Sequence, residues 1–121
     1  MTKILVVDDS ISMRQMVVFT LEGAGYEVAE AADGVLALDW AKENSCDLVL
    51  TDVNMPNMDG LELVTELRRL PEYSKKPVLV LTTERSDEMK VKGKNAGATG
   101  WIVKPFVPDQ LLKAVNIVLN K

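Results

Sequence analysis

Apolar residues recur along this chain at two periods. Lys3–Val7, Leu48–Thr51, Val78–Leu81 and Gly100–Val103 are short, near-continuous apolar runs rich in Val, Leu and Ile. Such runs predict strands covered on both faces. Glu27–Ala31 is shorter of apolar residues and alternates with Glu, which predicts a strand at a sheet edge. Between the strands the spacing changes to three and four. Met13, Met16, Val17, Thr20, Leu21 and Ala24 form one helical stripe, capped by Ser10 or Ser12 and stopped by Gly23 and Gly25. A second helix runs from an Asp33 cap to about Asn44, with Ala37, Leu38 and Ala41 inward. A third covers Gly60–Leu70 with Leu63, Val64 and Leu67 inward, and Pro71 and Pro77 bracket the loop after it.

A fourth helix starts at Ser86 or Asp87 and closes at Ala96-Gly97-Ala98. It is a poor one. Lys90, Lys92 and Lys94 crowd it, and Gly93 in its interior costs about 1 kcal/mol relative to Ala. It is expected to be the most mobile helix. A fifth covers Pro108–Leu119, with Leu111, Val115 and Val118 inward. Strand and helix thus alternate five times, which predicts one open, doubly wound α/β domain over residues 1–121.

Parallel strands in such a sheet point their carboxyl ends at one edge, where ligands bind. The first strand ends in Asp8 and Asp9, the third in Asp52, the fourth in Thr82 and Thr83, and the fifth in Lys104. Packed carboxylates repel unless a cation neutralises them, and hard oxygen ligands suit Mg²⁺. A Lys and a Thr hydroxyl opposite a cation make a clamp for phosphoryl oxygens. Asp33 and Asp59 read more simply as helix caps.

Composition narrows the chemistry. The 121 residues include no histidine and a single cysteine, Cys46. Catalytic triads, histidine-ligated metals, internal disulfides and thiolate clusters are therefore excluded. The chain cannot carry a phosphohistidine, and a bound metal needs oxygen ligands, as Mg²⁺, Mn²⁺ and Ca²⁺ do. The best remaining nucleophile is a carboxylate that would form an acyl phosphate, and Asp52 stands singly among the other groups. The net charge of −4 gives no reason to expect nucleic acid. No run is long enough to span a bilayer and no signal-peptide layout opens the chain, so a cytoplasmic protein is expected. Cys46 reads as a small buried hydrophobe. Leu36 and Trp40, beside the buried stripe of the second helix, read as partly buried against neighbouring helices, with a partner patch as the alternative, Met55 and Met58 as loop residues open to a partner, and Lys90 and Lys94 as cations for an acidic partner segment.

Val-Val-Asp-Asp-Ser at 6–10, Leu-Thr-Asp-Val-Asn-Met-Pro-Asn-Met-Asp-Gly at 50–60, Leu-Thr-Thr-Glu at 81–84 and Ala-Gly-Ala-Thr-Gly-Trp-Ile-Val-Lys-Pro-Phe at 96–106 resemble the receiver domain of two-component response regulators. The likeness is strongest to single-domain chemotaxis regulators of the CheY type. The resemblance implies a flavodoxin-like, CheY-like fold of five parallel strands in the order 2-1-3-4-5 with five helices. It implies Asp52 as phosphoacceptor, with Asp9, Asp52 and the Asn54 carbonyl as Mg²⁺ ligands and Asp8 holding the metal through water. Lys104 would contact the phosphoryl group, and the Lys104–Pro105 peptide is typically cis. Thr82 and Trp101 would be the switch pair, and Asn54, Glu84 and Thr83 would set phosphoryl lifetime. Trp101 is bulkier than the usual Tyr or Phe, and Thr83 stands where a small residue is common.

The implied partners are a sensor histidine kinase of the chemotaxis kind, a flagellar motor switch protein and a phosphatase, met by a monomer. The alternatives are a phosphate sink or phosphorelay receiver without motor binding, and an aspartyl-nucleophile phosphatase. The last needs a second acid two residues after the nucleophile, where Asn54 stands. The chain is expected to accept and release its own phosphoryl group rather than turn over an external substrate.

Overall fold

The computed structural model describes residues 2–83 and 86–120. Five parallel strands, β1 (Lys3–Val7), β2 (Glu27–Ala31), β3 (Leu48–Asp52), β4 (Val78–Thr82) and β5 (Gly100–Val103), form one sheet in the order β2-β1-β3-β4-β5. The helices are α1 (Ile11–Gly23), α2 (Gly34–Glu43), α3 (Gly60–Arg68), α4 (Asp87–Ala96) and α5 (Pro108–Leu119). A 3₁₀ turn spans Pro71–Tyr73. The doubly wound α/β fold and strand order expected from the sequence are those observed.

Alternation along the strands divides the core in two. Leu5, Val7, Val49, Val78 and Val80 face α2 and α3, with Leu63, Val64 and Leu67 packed on them. Ile4, Val6, Leu48, Leu50, Leu79 and Leu81 face α1 and α5, against Val17, Leu21, Leu111 and Val115. β1, β3 and β4 are buried along almost their whole length, while β2 lies half open at the edge. Covered parallel strands are held by burial on both faces, so they read as unbroken apolar runs.

Helix starts follow their caps. Ser10, not Ser12, caps α1 by accepting from Met13 N–H. Asp33 caps α2 through Leu36 N–H. Asp59 and Glu62 form a reciprocal capping box on α3.

Several expected details differ. α1 ends at Gly23, and Ala24 is its exposed C-cap rather than a core position. α3 stops at Arg68, because Pro71 lacks the N–H that a continuing helix needs. Leu36 is 52% exposed, pointing away from the α2 face that carries Ala37, Leu38 and Ala41. Met55 and Met58 lie in the loop after β3, half-buried, and pack against the core. Cys46 is buried, as expected, and burial pushes its thiol pKa up.

Gly93 is buried in α4. A Cβ there would lie 2.7 Å from Cζ3 of Trp101. Its helix cost therefore accompanies a packing purpose that the chain's local pattern does not reveal.

Candidate functional site

The carboxyl ends of β1, β3 and β5 converge as the parallel order requires. Asp8 follows β1, Asp52 closes β3 and Lys104 follows β5. One carboxylate oxygen from each of Asp8, Asp9 and Asp52 lies within 4.8 Å of the others. Lys104 Nζ sits 3.3 Å from Asp8 Oδ2 and 3.3 Å from Asp52 Oδ1. The three paired side chains are between 2% and 13% exposed, whereas Asp9 opens to solvent.

Backbone groups hold each acid in place. Asp8 Oδ1 accepts from Ser10 N–H at 2.9 Å, and Asp52 Oδ1 accepts from Val53 N–H at 2.8 Å. Lys104 is fixed by its own N–H, which donates to Thr82 O at 2.7 Å. The Lys104–Pro105 peptide is cis.

The surroundings of Asp52 act on its charge in opposite directions. Burial pushes its carboxyl above the usual carboxylate range. The Lys104 ammonium pulls it back, the neighbouring Asp8 charge raises it, and the Val53 N–H lowers it. One ammonium among three acids leaves the cluster with surplus negative charge. That surplus and the all-oxygen donor set fit a hard divalent cation. Asp8, Asp9 and Asp52 could hold it.

The other expected residues are placed as follows. Thr82 is buried at the end of β4 and Thr83 is exposed beside it. Asn54 is exposed in the loop after β3. Glu84 lies outside the described residues. Trp101 is half-buried on the sheet face that carries Val78 and Val80, and its Nε1 is buried with no hydrogen-bond partner among the described residues. An open groove of about 500 Å³ lies beside it, lined by Lys90, Val103, Pro105 and Gln110 among others. Lys90 and Lys94 are exposed at this face.

Four supporting residues escaped the sequence reading. Arg14 on α1 donates from Nη1 to Asp8 O at 2.6 Å and from Nε to Glu30 at 3.0 Å. It ties the end of β1 to β2, yet as a polar helical position it reads only as solvent-facing. Asp33 uses its second oxygen to accept from Asn57 Nδ2 at 3.0 Å, clasping the Asn54 loop to the start of α2. These two hydrogen bonds, from the Leu36 N–H and Asn57, lower the Asp33 pKa. Asn57 has φ +70°, a conformation Asn tolerates better than most residues, which was the one available hint. Gly60 is also required: a Cβ there would meet Asp52 O at 2.0 Å, and its N–H donates to Val53 O at 2.8 Å.

Residues 4–116 match the response regulator receiver domain family. The chain belongs to that family. The chemotaxis protein CheY4 of Vibrio cholerae is similar at 54% identity and a TM-score of 0.95, over 98% of each chain. The receiver domain of the sensor histidine kinase PA1611 from Pseudomonas aeruginosa PAO1 superposes with a TM-score of 0.92 at 25% identity, over 99% of this chain and 98% of that one. That structure has a magnesium ion coordinated in its active-site cleft. The transcriptional regulatory protein SrrA of Staphylococcus aureus (strain NCTC 8325 / PS 47) is 34% identical over 98% of this receiver chain and 48% of its own length. The chain thus spans about half the length of the curated relatives it matches. Among the described residues, no helix is long and apolar enough to cross a membrane.

Proposed function

We propose that residues 1–121 form a phospho-accepting switch in which Asp52 takes a phosphoryl group from a phosphohistidine on a sensor kinase. The observation that carries this reading is Lys104 spanning Asp8 and Asp52 at 3.3 Å each. A single ammonium there both restrains the acids and stands ready for a third anion. Asp52 Oδ1 is engaged by Val53 N–H and by Lys104. Oδ2 is then the oxygen that attacks phosphorus. The new O–P bond forms as the N–P bond breaks, and the departing imidazole keeps the electron pair and takes a proton from solvent. Lys104 shifts its charge onto a phosphoryl oxygen, and the Thr82 hydroxyl supplies a second donor.

Asp8, Asp9, Asp52 and the Asn54 carbonyl would hold Mg²⁺, or Mn²⁺ in its place. The ion supplies charge neutralisation for the acids and the incoming phosphoryl oxygens. Asn54 and Thr83 border the face from which water reaches the acyl phosphate, and so set its lifetime. The protein releases its own phosphoryl group and is no turnover enzyme on an external substrate.

The output surface is the face around Trp101, made by α4, β5 and α5. Likeness to CheY4 supports a chemotaxis kinase upstream and a flagellar motor switch protein downstream, in the cytoplasm. Lys90 and Lys94 beside the Trp101 groove favour an acidic partner segment. A phosphate sink would share the chemistry without that binding step.

Incubation with acetyl phosphate and Mg²⁺ tests the chemistry. Mass spectrometry is expected to show one added phosphoryl group in the parent and none in Asp52→Asn. Uptake by Asp52→Asn at the parent rate refutes the mechanism. Equal affinity for a motor switch protein with and without phosphoryl refutes the motor reading and leaves the sink.

A further inference from the structure

We propose that Gly93 is a positioning residue that makes the seat for the Trp101 indole, and so decides whether phosphorylation reaches the output surface. This rests on the reading of Trp101 as part of the switch.

Gly93 lies inside a regular helix, in the middle of α4, where no turn calls for a glycine. What calls for it is space. A Cβ at 93 would stand 2.7 Å from Trp101 Cζ3 and 3.2 Å from Cε3. Real Cβ atoms do not approach a ring so closely, so any side chain at 93 displaces the indole. The rest of the ring packs beside Val78 and Val80.

The seat is incomplete as well as narrow. Trp101 Nε1 is buried and has no hydrogen-bond partner among the described residues. A buried donor left unpaired opposes the gain from burying the ring. Open space lies on two sides of the indole, in the groove of about 500 Å³ towards Gln110 and in another of about 340 Å³ towards Lys94 and Thr99. An outward rotamer has room there and would wet the N–H. The unpaired N–H weakens the seated position, and the open space offers the ring somewhere to go, so a bias at the seat can move it.

Thr82 is placed to supply that bias. Trp101 pairs with Val80 across β4 and β5. Thr82 is two residues beyond Val80, so it shares that sheet face and is the diagonal neighbour of Trp101. Motion of Thr82 towards a phosphoryl group changes the space beside the indole. Gly93 ensures that the indole has a seat to enter or leave.

The test uses a Trp40→Phe background, which leaves Trp101 as the sole tryptophan. Acrylamide quenching and emission are measured with and without acetyl phosphate and Mg²⁺. Gly93→Ala is expected to shift emission to the red and raise the quenching constant without donor. It should also abolish the change that donor produces, while Asp52 takes up phosphoryl at the parent rate. Thermal unfolding supplies a second readout. Gly93→Ala should lower the midpoint when residue 101 is Trp and raise it in the Trp101→Val chain, where only helix propensity acts.

Unchanged quenching in Gly93→Ala, or a raised midpoint in both backgrounds, overturns the seat. An unaltered response to donor in Gly93→Ala overturns the switch role. Absence of phosphoryl uptake in every chain overturns the phospho-accepting reading and the switch role together, while the donor-free quenching still decides the seat.

Discussion

Asp52→Asn should stabilise the metal-free protein at pH 7 while abolishing phosphoryl uptake. The substitution keeps the shape and the Val53 N–H bond and removes one charge. At an effective dielectric of about 20, like charges 4.8 Å apart repel by about 3.5 kcal/mol. Lys104 at 3.3 Å offsets this with about 5 kcal/mol of attraction. Asp9 adds further repulsion, reduced because water reaches it. Loss of hydration on burial weighs most heavily against the Asp52 charge, and the net is unfavourable, since its pKa lies above the ordinary value. After the variant, Lys104 still pairs with Asp8. A gain in stability over the parent is expected.

The pH dependence has a definite sign. A raised folded pKa means that the native state binds the Asp52 proton more tightly than the unfolded chain does. Parent stability from this group is therefore lost as pH rises through the window above 3.8. The advantage of Asp52→Asn is full above that window and vanishes below it. Urea unfolding in EDTA at pH 7 and at about pH 3 measures both ends. Saturating Mg²⁺ should reverse the ranking, because a ligand at 100 times its Kd stabilises the form that binds it by about 2.7 kcal/mol. A less stable Asp52→Asn in EDTA at pH 7, or an advantage that grows as pH falls, refutes the reasoning.

Lys104→Met should slow phosphoryl uptake from acetyl phosphate about 100-fold, as loss of one oxyanion donor does elsewhere; timed mass spectrometry gives the rate. Arg68→Met should cost about 2 to 4 kcal/mol in urea without changing that rate, since its guanidinium binds Gly97 O, Tyr73 O and Lys76 O far from the acids. Asn57→Gly keeps the positive φ and removes only the bond to Asp33. Mg²⁺ affinity, read by calorimetry, should fall about threefold, the worth of one exposed hydrogen bond.

The site was legible where geometry follows from topology. Once the strands are parallel, Asp8, Asp52 and Lys104 must share an edge, so naming the residue after each apolar run was enough. The supporting residues depend instead on which distant elements pack together. Arg14 meets Asp8 O only because α1 folds back beside the end of β1. Asp33 looked like an ordinary cap because its second partner, Asn57, is 24 positions away. Gly93 registered as a helix cost because the ring that fills its place belongs to the next strand. Ala24 joins the α1 stripe, and Leu36 the margin of the α2 stripe, by spacing alone, which cannot tell the centre of an apolar face from its edge.

Arg68 gives the molecule an uneven response to acid. Its guanidinium joins α3, the Pro71–Tyr73 turn and the loop between α4 and β5 entirely through carbonyl and hydroxyl oxygens. Among the described residues it has no carboxylate partner. Burial draws its pKa down, but an arginine stays charged throughout the physiological range, and carbonyls do not titrate. The acid-rich edge, by contrast, changes charge as Asp52 protonates. Acidification should therefore weaken Mg²⁺ binding at the acid edge, as Asp52 takes up a proton, while this joint is unchanged; Mg²⁺ affinity should fall with pH while amide protection near Gly97, corrected for intrinsic exchange, stays constant.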